Sequence, residues 1–312
     1  MNLSVQLAPK NRRGLTLANP VMTASGTFGY GTEYDHLFDI QKLGAIVCKG
    51  TTLNPREGNA QPRIAETPAG ILNAIGLQNI GIKALIQEKA PVWAKWKVPV
   101  IVNIAGNSAE EYAQLAQELD AVPGISGIEI NISCPNVKSG AIEFGCDPLA
   151  AALVTASVRR ATSLPVWVKL TPNTDDVVKI AVAVAEAGAD AIVLINTLKG
   201  MAIDIRRRKP VLGNITGGLS GPAIKPVALR MVYEVARVLK TVPLIGSGGI
   251  MQSNDAIEFI MAGATGVQVG SANLVNPRAS LEVLQGIQDF MEAEKIEDLR
   301  ELIGVAGSTI IL

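Results

Sequence analysis

Histidine and cysteine are scarce in this chain: one histidine, His36, and three cysteines, Cys48, Cys134 and Cys146, among 312 residues. A single histidine leaves little for histidine acid-base chemistry and nothing for a multi-histidine metal centre, so no metal site is expected. Three scattered cysteines without a Cys-x-x-Cys pair make no disulfide framework and point to a reducing compartment, the cytoplasm. Neither sign of charge is in excess, with Lys+Arg and Asp+Glu at 28 each, so no net field recruits nucleic acid or an anionic membrane. No apolar run approaches the roughly 18 residues of a membrane span. Met1 to Gln6 has neither the basic nor the apolar region of a leader peptide. Small molecules and other proteins are the partners that remain.

What the chain does have is small and branched aliphatic residues, 48% hydrophobic with only 4% aromatic, punctuated by 30 glycines. Eight strand-like apolar runs recur: Pro20 to Ala24, Ala45 to Lys49, Val98 to Ile104, Gly127 to Ile132, Pro165 to Leu170, Ala189 to Ile195, Val242 to Gly246 and Gly266 to Gly270. Helical periodicity falls between them, for instance over Ser108 to Leu119, Asp147 to Ala161, Asp175 to Ala187, Lys225 to Leu239 and Asn254 to Ala262. Ser108, Thr174 and Ser253 stand where N-caps belong. Eight strands, most leading into a helix, predict an α/β protein of the (β/α)8 TIM-barrel class, one domain over residues 1 to 312 with active-site loops at the carboxyl ends of the strands. Two long connections, Gly50 to about Gln78 and Asn196 to about Pro222, leave such ends and should cover the mouth. The second carries Arg206-Arg207-Arg208, read as a solvated loop, and a glycine-rich stretch, Thr216 to Gly221, read as flexible.

In a barrel, the residues delivered at strand ends converge. Here they are Ser25, Lys49, Asn103, Asn131 with Cys134, Lys169, Asn196 with Thr197, Gly248 with Gly249, and Gly270 with Ser271. Glycines after the last two strands let backbone N–H groups approach a phosphate, and barrels often keep a phosphate site there. A phosphate grip, central amides and a lysine suit a flavin mononucleotide. Gly246-Ser247-Gly248-Gly249-Ile250-Met251 fails the dinucleotide pattern at its last glycine, so direct nicotinamide binding has no motif. Cys134, in a loop beside two amides and a proline, is the candidate base or nucleophile, although a lone cysteine is more often a packed side chain.

Asn131-Ile-Ser-Cys-Pro-Asn136, Asn73-Ala-Ile-Gly-Leu-Gln-Asn79, Lys49-Gly50-Thr51-Thr52 and Gly217-Gly-Leu-Ser-Gly221 together resemble the class 1 dihydroorotate dehydrogenases over nearly the whole chain. Gly76 to Asn79, and Asn136-Val137-Lys138 leading to Phe144-Gly145, resemble the B subtype. The resemblance implies oxidation of (S)-dihydroorotate to orotate in pyrimidine biosynthesis, hydride passing to FMN with Cys134 as base. It implies flavin contacts from Ser25, Lys49, Gly50, Asn103, Asn131, Lys169, Ile195, Gly221, Gly248, Gly249, Gly270 and Ser271. It implies substrate contacts from Lys49, Asn73, Ala74, Ile75, Gly76, Leu77, Asn131, Asn196 and Thr197. It implies a homodimer of catalytic chains within a heterotetramer, in which an electron-transfer subunit carrying FAD and an iron-sulfur cluster delivers electrons to NAD. Pro135 to about Asp147 should form a lid, Gly140 and Gly145 absorbing backbone change while Ile142 and Phe144 pack over the pyrimidine. Cys146 stands where a small polar residue is expected in relatives. Other readings are a different flavin-barrel pyrimidine reductase and a silent barrel kept as a scaffold.

Overall fold

The computed structural model describes residues 1–133, 135–136 and 142–307. Eight short strands run parallel: β1 (Val21–Thr23), β2 (Ile46–Val47), β3 (Val100–Ile104), β4 (Gly127–Asn131), β5 (Val166–Leu170), β6 (Ala191–Leu194), β7 (Leu244–Ser247) and β8 (Gly266–Val269). Each pairs with its sequence neighbours, β8 returns to β1, and a parallel bridge between Met22 and Ala45 joins β1 to the start of β2. This is the (β/α)8 barrel that the strand count predicts. Because both faces of every strand are covered, the strands are mostly apolar: all five residues of β3 and of β5 are buried, Asn103 and Lys169 being the polar ones.

The helices follow from amphipathic spacing. In α1 (Ala109–Leu119), Tyr112, Leu115, Ala116 and Leu119 form one buried stripe at helical intervals, and the Ser108 hydroxyl accepts from the Glu111 amide, as its position predicts. Next come α2 (Pro148–Ala161), α3 (Val177–Glu186), α4 (Lys225–Val238), α5 (Ser253–Ala262) and, after β8, α6 (Ala279–Ala293). Two expected caps are displaced. α3 is capped by Asp176, whose carboxylate accepts from Lys179 N, and not by Thr174. α5 is capped by Gln252, not Ser253, because Gln252 and Asp255 form a reciprocal capping box. Between β2 and β3 a helical segment from Gly81 to Trp93 holds a π-helical turn, Leu85–Lys89.

Both long connections do contribute to the mouth, as ordered structure. Leu198–Met201, Thr216–Ser220, Gly70–Asn73 and Ile64–Thr67 join as one four-stranded antiparallel sheet. Thr216 to Ser220, expected to be flexible, is thus an inner strand, and its glycines are there for close approach: a Cβ on Gly217 would lie 2.5 Å from the Asn73 carbonyl oxygen. Arg206, Arg207 and Arg208 lie on an exposed turn whose amides at 206 and 207 donate to Asp204 Oδ1, in keeping with a solvated loop.

Candidate active site

A cavity of about 780 Å³ opens between the carboxyl ends of the barrel strands and the antiparallel sheet. Its volume lies within the range of small-molecule and cofactor sites. Inward-facing strand residues form its floor, Asn103 from β3, Asn131 from β4 and Lys169 from β5. Ser25, Lys49, Gly50, Ile195, Gly221, Gly248, Gly249, Gly270 and Ser271 also line it. Asn73, Ala74, Ile75, Gly76, Leu77, Asn196 and Thr197 line it too. Every residue suggested for flavin or substrate therefore borders one cavity. Cys134 lies outside the described residues, as does Gly140.

The amides are tied to one another. Asn196 Nδ2 donates to Asn131 Oδ1 at 3.2 Å and to Ser133 Oγ at 3.0 Å, while the Ser133 amide donates to the same Asn131 oxygen. The Asn131 carbonyl is fixed from behind by Tyr112 Oη at 2.6 Å. Asn73 Nδ2 donates across the sheet to the Gly218 carbonyl at 3.3 Å. Asn79, the last residue of its motif, serves the backbone and not the cavity, since it bonds the Thr52 hydroxyl, the Leu77 carbonyl and the Gly81 amide and so pins the 73–79 loop. Leu77 takes φ 54, a conformation that costs a non-glycine residue roughly 1–2 kcal/mol and that marks a held backbone at the cavity wall.

Ser133, inside the Asn131-to-Asn136 motif but assigned no role there, is on the wall, and so are Arg56, Asn59, Asn173 and Lys199, which had no motif to announce them. Asn173 was findable in principle, three residues beyond the end of β5, and it bonds Thr171 Oγ1, the Thr197 carbonyl and the Lys199 amide. Beneath the floor, Glu129 and Gln268 are fully buried on β4 and β8. Each interrupts an apolar strand with an inward polar residue, and that is the signal by which they could have been found.

Phe144 departs from its expected place over a pyrimidine. It is 3% exposed and packs edge-on against Tyr112, ring centroids 5.9 Å apart, within the barrel's outer core. Gly145 is explained by packing as well, since an added Cβ would meet Thr171 Cγ2 at 2.9 Å. The rest of the expected lid falls on or beside residues outside those described; Pro135–Asn136 pairs antiparallel with Ile142–Glu143. Cys146 Sγ donates to the Asn173 carbonyl at 3.2 Å. Cys48 is buried, and burial pushes its thiol up to about 12, which leaves it protonated and unreactive at neutral pH.

The residues present fit a phosphorylated planar cofactor. Gly248 and Gly249 take φ 132 and φ 73 after β7, and a Cβ on either would press into the start of α4 or the segment before it, at Ala228 or Lys225. The missing Cβ atoms let the turn pack against α4, and both glycines line the cavity, where short backbone with its N–H groups suits an anion. Ser271 lines the same cavity after the neighbouring strand, β8. The floor offers a buried ammonium and amides to a ring.

Fold and site thus define a parallel-barrel enzyme with its chemistry at the carboxyl mouth. The chain belongs to the dihydroorotate dehydrogenase family, whose model matches residues 8–291; the family is flavin-dependent. Among similar proteins, one from Pelobacter propionicus is 59% identical over 294 residues, covering 94% of this chain and 96% of its own. One from Geotalea daltonii is 57% identical over 303 residues, covering 97% of each chain. One from Desulforamulus reducens is 56% identical over 306 residues, covering 98% and 99%. Each of the three is named dihydroorotate dehydrogenase B (NAD(+)), catalytic subunit.

Proposed function

We propose that this chain oxidises (S)-dihydroorotate to orotate on a bound FMN and is the catalytic chain of an NAD-linked dihydroorotate dehydrogenase. The observation that carries the reading is the convergence of Lys49, Asn73, Asn131, Asn196 and Thr197 on the cavity that Lys169 and the glycines after β7 and β8 also line. Lys49 supplies a cation for the substrate carboxylate, and Asn73, Asn131 and Asn196 supply both donors and acceptors for its ring amides. Cys134 takes the proton from C5 as hydride leaves C6, so the substrate loses one proton and one hydride and gains one C=C bond. The flavin, when bound, is the two-electron acceptor. Lys169 lies on the floor where its charge offsets negative charge gained by the ring. Glycines 248, 249 and 270 with Ser271 hold the phosphate.

The same reading extends to assembly. Electrons leave toward NAD through a companion subunit carrying FAD and an iron-sulfur cluster, and the catalytic chains pair within a heterotetramer in the cytoplasm. The relatives' shared designation as a catalytic subunit supports a companion. No helix among the described residues is long and apolar enough to cross a membrane.

One titration tests the reading. Purified protein should be yellow, and anaerobic dihydroorotate should bleach it. Cys134→Ala should keep the flavin yet bleach more slowly by about 10²- to 10⁴-fold, the usual worth of a positioned base. A colourless chain that takes up no FMN, or bleaching of the alanine variant at the wild-type rate, would count against it.

A further inference from the structure

Two of the floor residues rest on a charge that does not face the cavity. Glu129, on β4 between Asn103 of β3 and Trp167 of β5 in register, is fully buried. Its Oε1 accepts from Asn103 Nδ2 at 2.7 Å and its Oε2 from Gln268 Nε2 at 2.5 Å. Lys169 Nζ lies 3.8 Å from Oε1 and donates to Gln268 Oε1 at 3.1 Å. An ionised carboxylate only accepts, so both amides must turn their NH2 groups to it. Their oxygens are thereby aimed elsewhere: Gln268 Oε1 at Lys169, and Asn103 Oδ1 toward Gly50, 3.0 Å from where a Cβ there would stand. One acidic residue so dictates the polarity of a chain of four side chains across β3, β4, β5 and β8. A buried ion pair is weak evidence of stabilisation, because desolvating both charges offsets their attraction. Stability alone therefore does not account for placing a carboxylate here.

We propose that Glu129 is a positioning residue for the flavin floor: it is the buried counter-ion of Lys169 and turns the Asn103 carbonyl outward, so it sets the charge and the acceptor that the floor presents to the ring. It acts through Lys169 and Asn103 without touching the ring. The inference rests on the flavin reading given above, and it predicts how the chain tunes its cofactor and not merely that it binds one.

Replacing the carboxylate by its near-isosteric amide removes one negative charge beneath the ring and adds an NH2 group that one neighbouring amide must turn to meet. Glu129→Gln should raise the two-electron midpoint potential of bound flavin, by about tenfold in the reduction equilibrium or about 30 mV, in anaerobic titration against a redox dye. A purely structural Glu129 would change the melting temperature and leave the potential alone, so an unchanged or lowered potential overturns the proposal. Should Glu129→Gln yield no folded protein, the charge coupling is read from Lys169→Met and the double variant Glu129→Gln/Lys169→Met, melted as purified with and without added FMN. The double variant should melt above Lys169→Met, because the latter strands a buried carboxylate; a double variant melting at or below it overturns the proposal. A wild-type chain that takes no FMN sinks the functional reading, whereas the melts without FMN still decide whether the two charges are coupled.

Discussion

Asp120, at the end of α1, joins segments that are far apart in the chain. Its Oδ1 accepts from Thr162 Oγ1 at 2.6 Å, Ser163 N at 2.6 Å and Ser163 Oγ at 2.9 Å, at the turn leading into β5, and Arg13 lies 3.7 Å from Oδ2. Burial would push this carboxyl up, but the Thr162 and Ser163 hydrogen bonds and the Arg13 charge prevail and hold it down at about 2. A carboxylate whose folded value is depressed stabilises the protein fully above its ordinary, unfolded value, and that contribution is lost as pH falls toward the folded value. Asp120→Ala should lower unfolding stability by about 1–3 kcal/mol at pH 7. In urea melts, the gap between wild type and variant should shrink toward zero between about pH 4 and pH 2. A gap that persists at low pH would show that packing, not charge, is what the variant loses. The same scale sets apart two thiols of identical chemistry: Cys48 is raised by burial on the barrel wall, whereas Cys134 is the fourth residue of the Asn131-to-Asn136 motif. Residue type alone does not assign a role, and Glu129 and Gln268 show the converse, roles hidden within apolar runs.

At the scale of elements, the barrel was legible because each strand and helix announces itself locally, through apolar runs and a 3.6-residue stripe such as Tyr112 to Leu119. The mouth sheet was not. Its central pairing joins Asn73 to Gly218, 145 positions apart, and a glycine-rich strand has no side-chain pattern to betray it. The cap of α5 was misread for a related reason, since a glutamine becomes a cap only through its exchange with Asp255. Gly218 connects this sheet to the site: a Cβ there would collide with the Thr197 side chain, which lines the cavity. Gly218→Ala should therefore displace Thr197 and weaken orotate binding by about tenfold or more, since overpacking typically costs about 1–3 kcal/mol. Orotate titration of the flavin absorbance measures this, with the melting temperature as control. Unaltered orotate affinity would remove Thr197 from the substrate contacts.

The whole molecule must also pass its electrons on. Its three cysteines are too few for a four-cysteine iron-sulfur cluster, and Gly246 to Met251, which approaches a dinucleotide fingerprint but lacks its last glycine, forms the turn after β7, where Gly248 and Gly249 line the cavity. The sequence holds neither a complete dinucleotide fingerprint nor four cysteines, while relatives of nearly equal length carry NAD(+) and a catalytic subunit in one name. The isolated chain loaded with FMN should therefore oxidise dihydroorotate with a small artificial dye as acceptor and reduce NAD negligibly. Adding a companion subunit carrying FAD and an iron-sulfur cluster should restore NAD reduction without changing the rate at which dihydroorotate bleaches the flavin, because that half-reaction belongs to this chain alone. Stopped-flow bleaching and NADH absorbance, recorded on the same preparations, separate the two halves. Rapid NAD reduction by the chain alone would require a nicotinamide to enter the barrel mouth, and this separation of labour would fall.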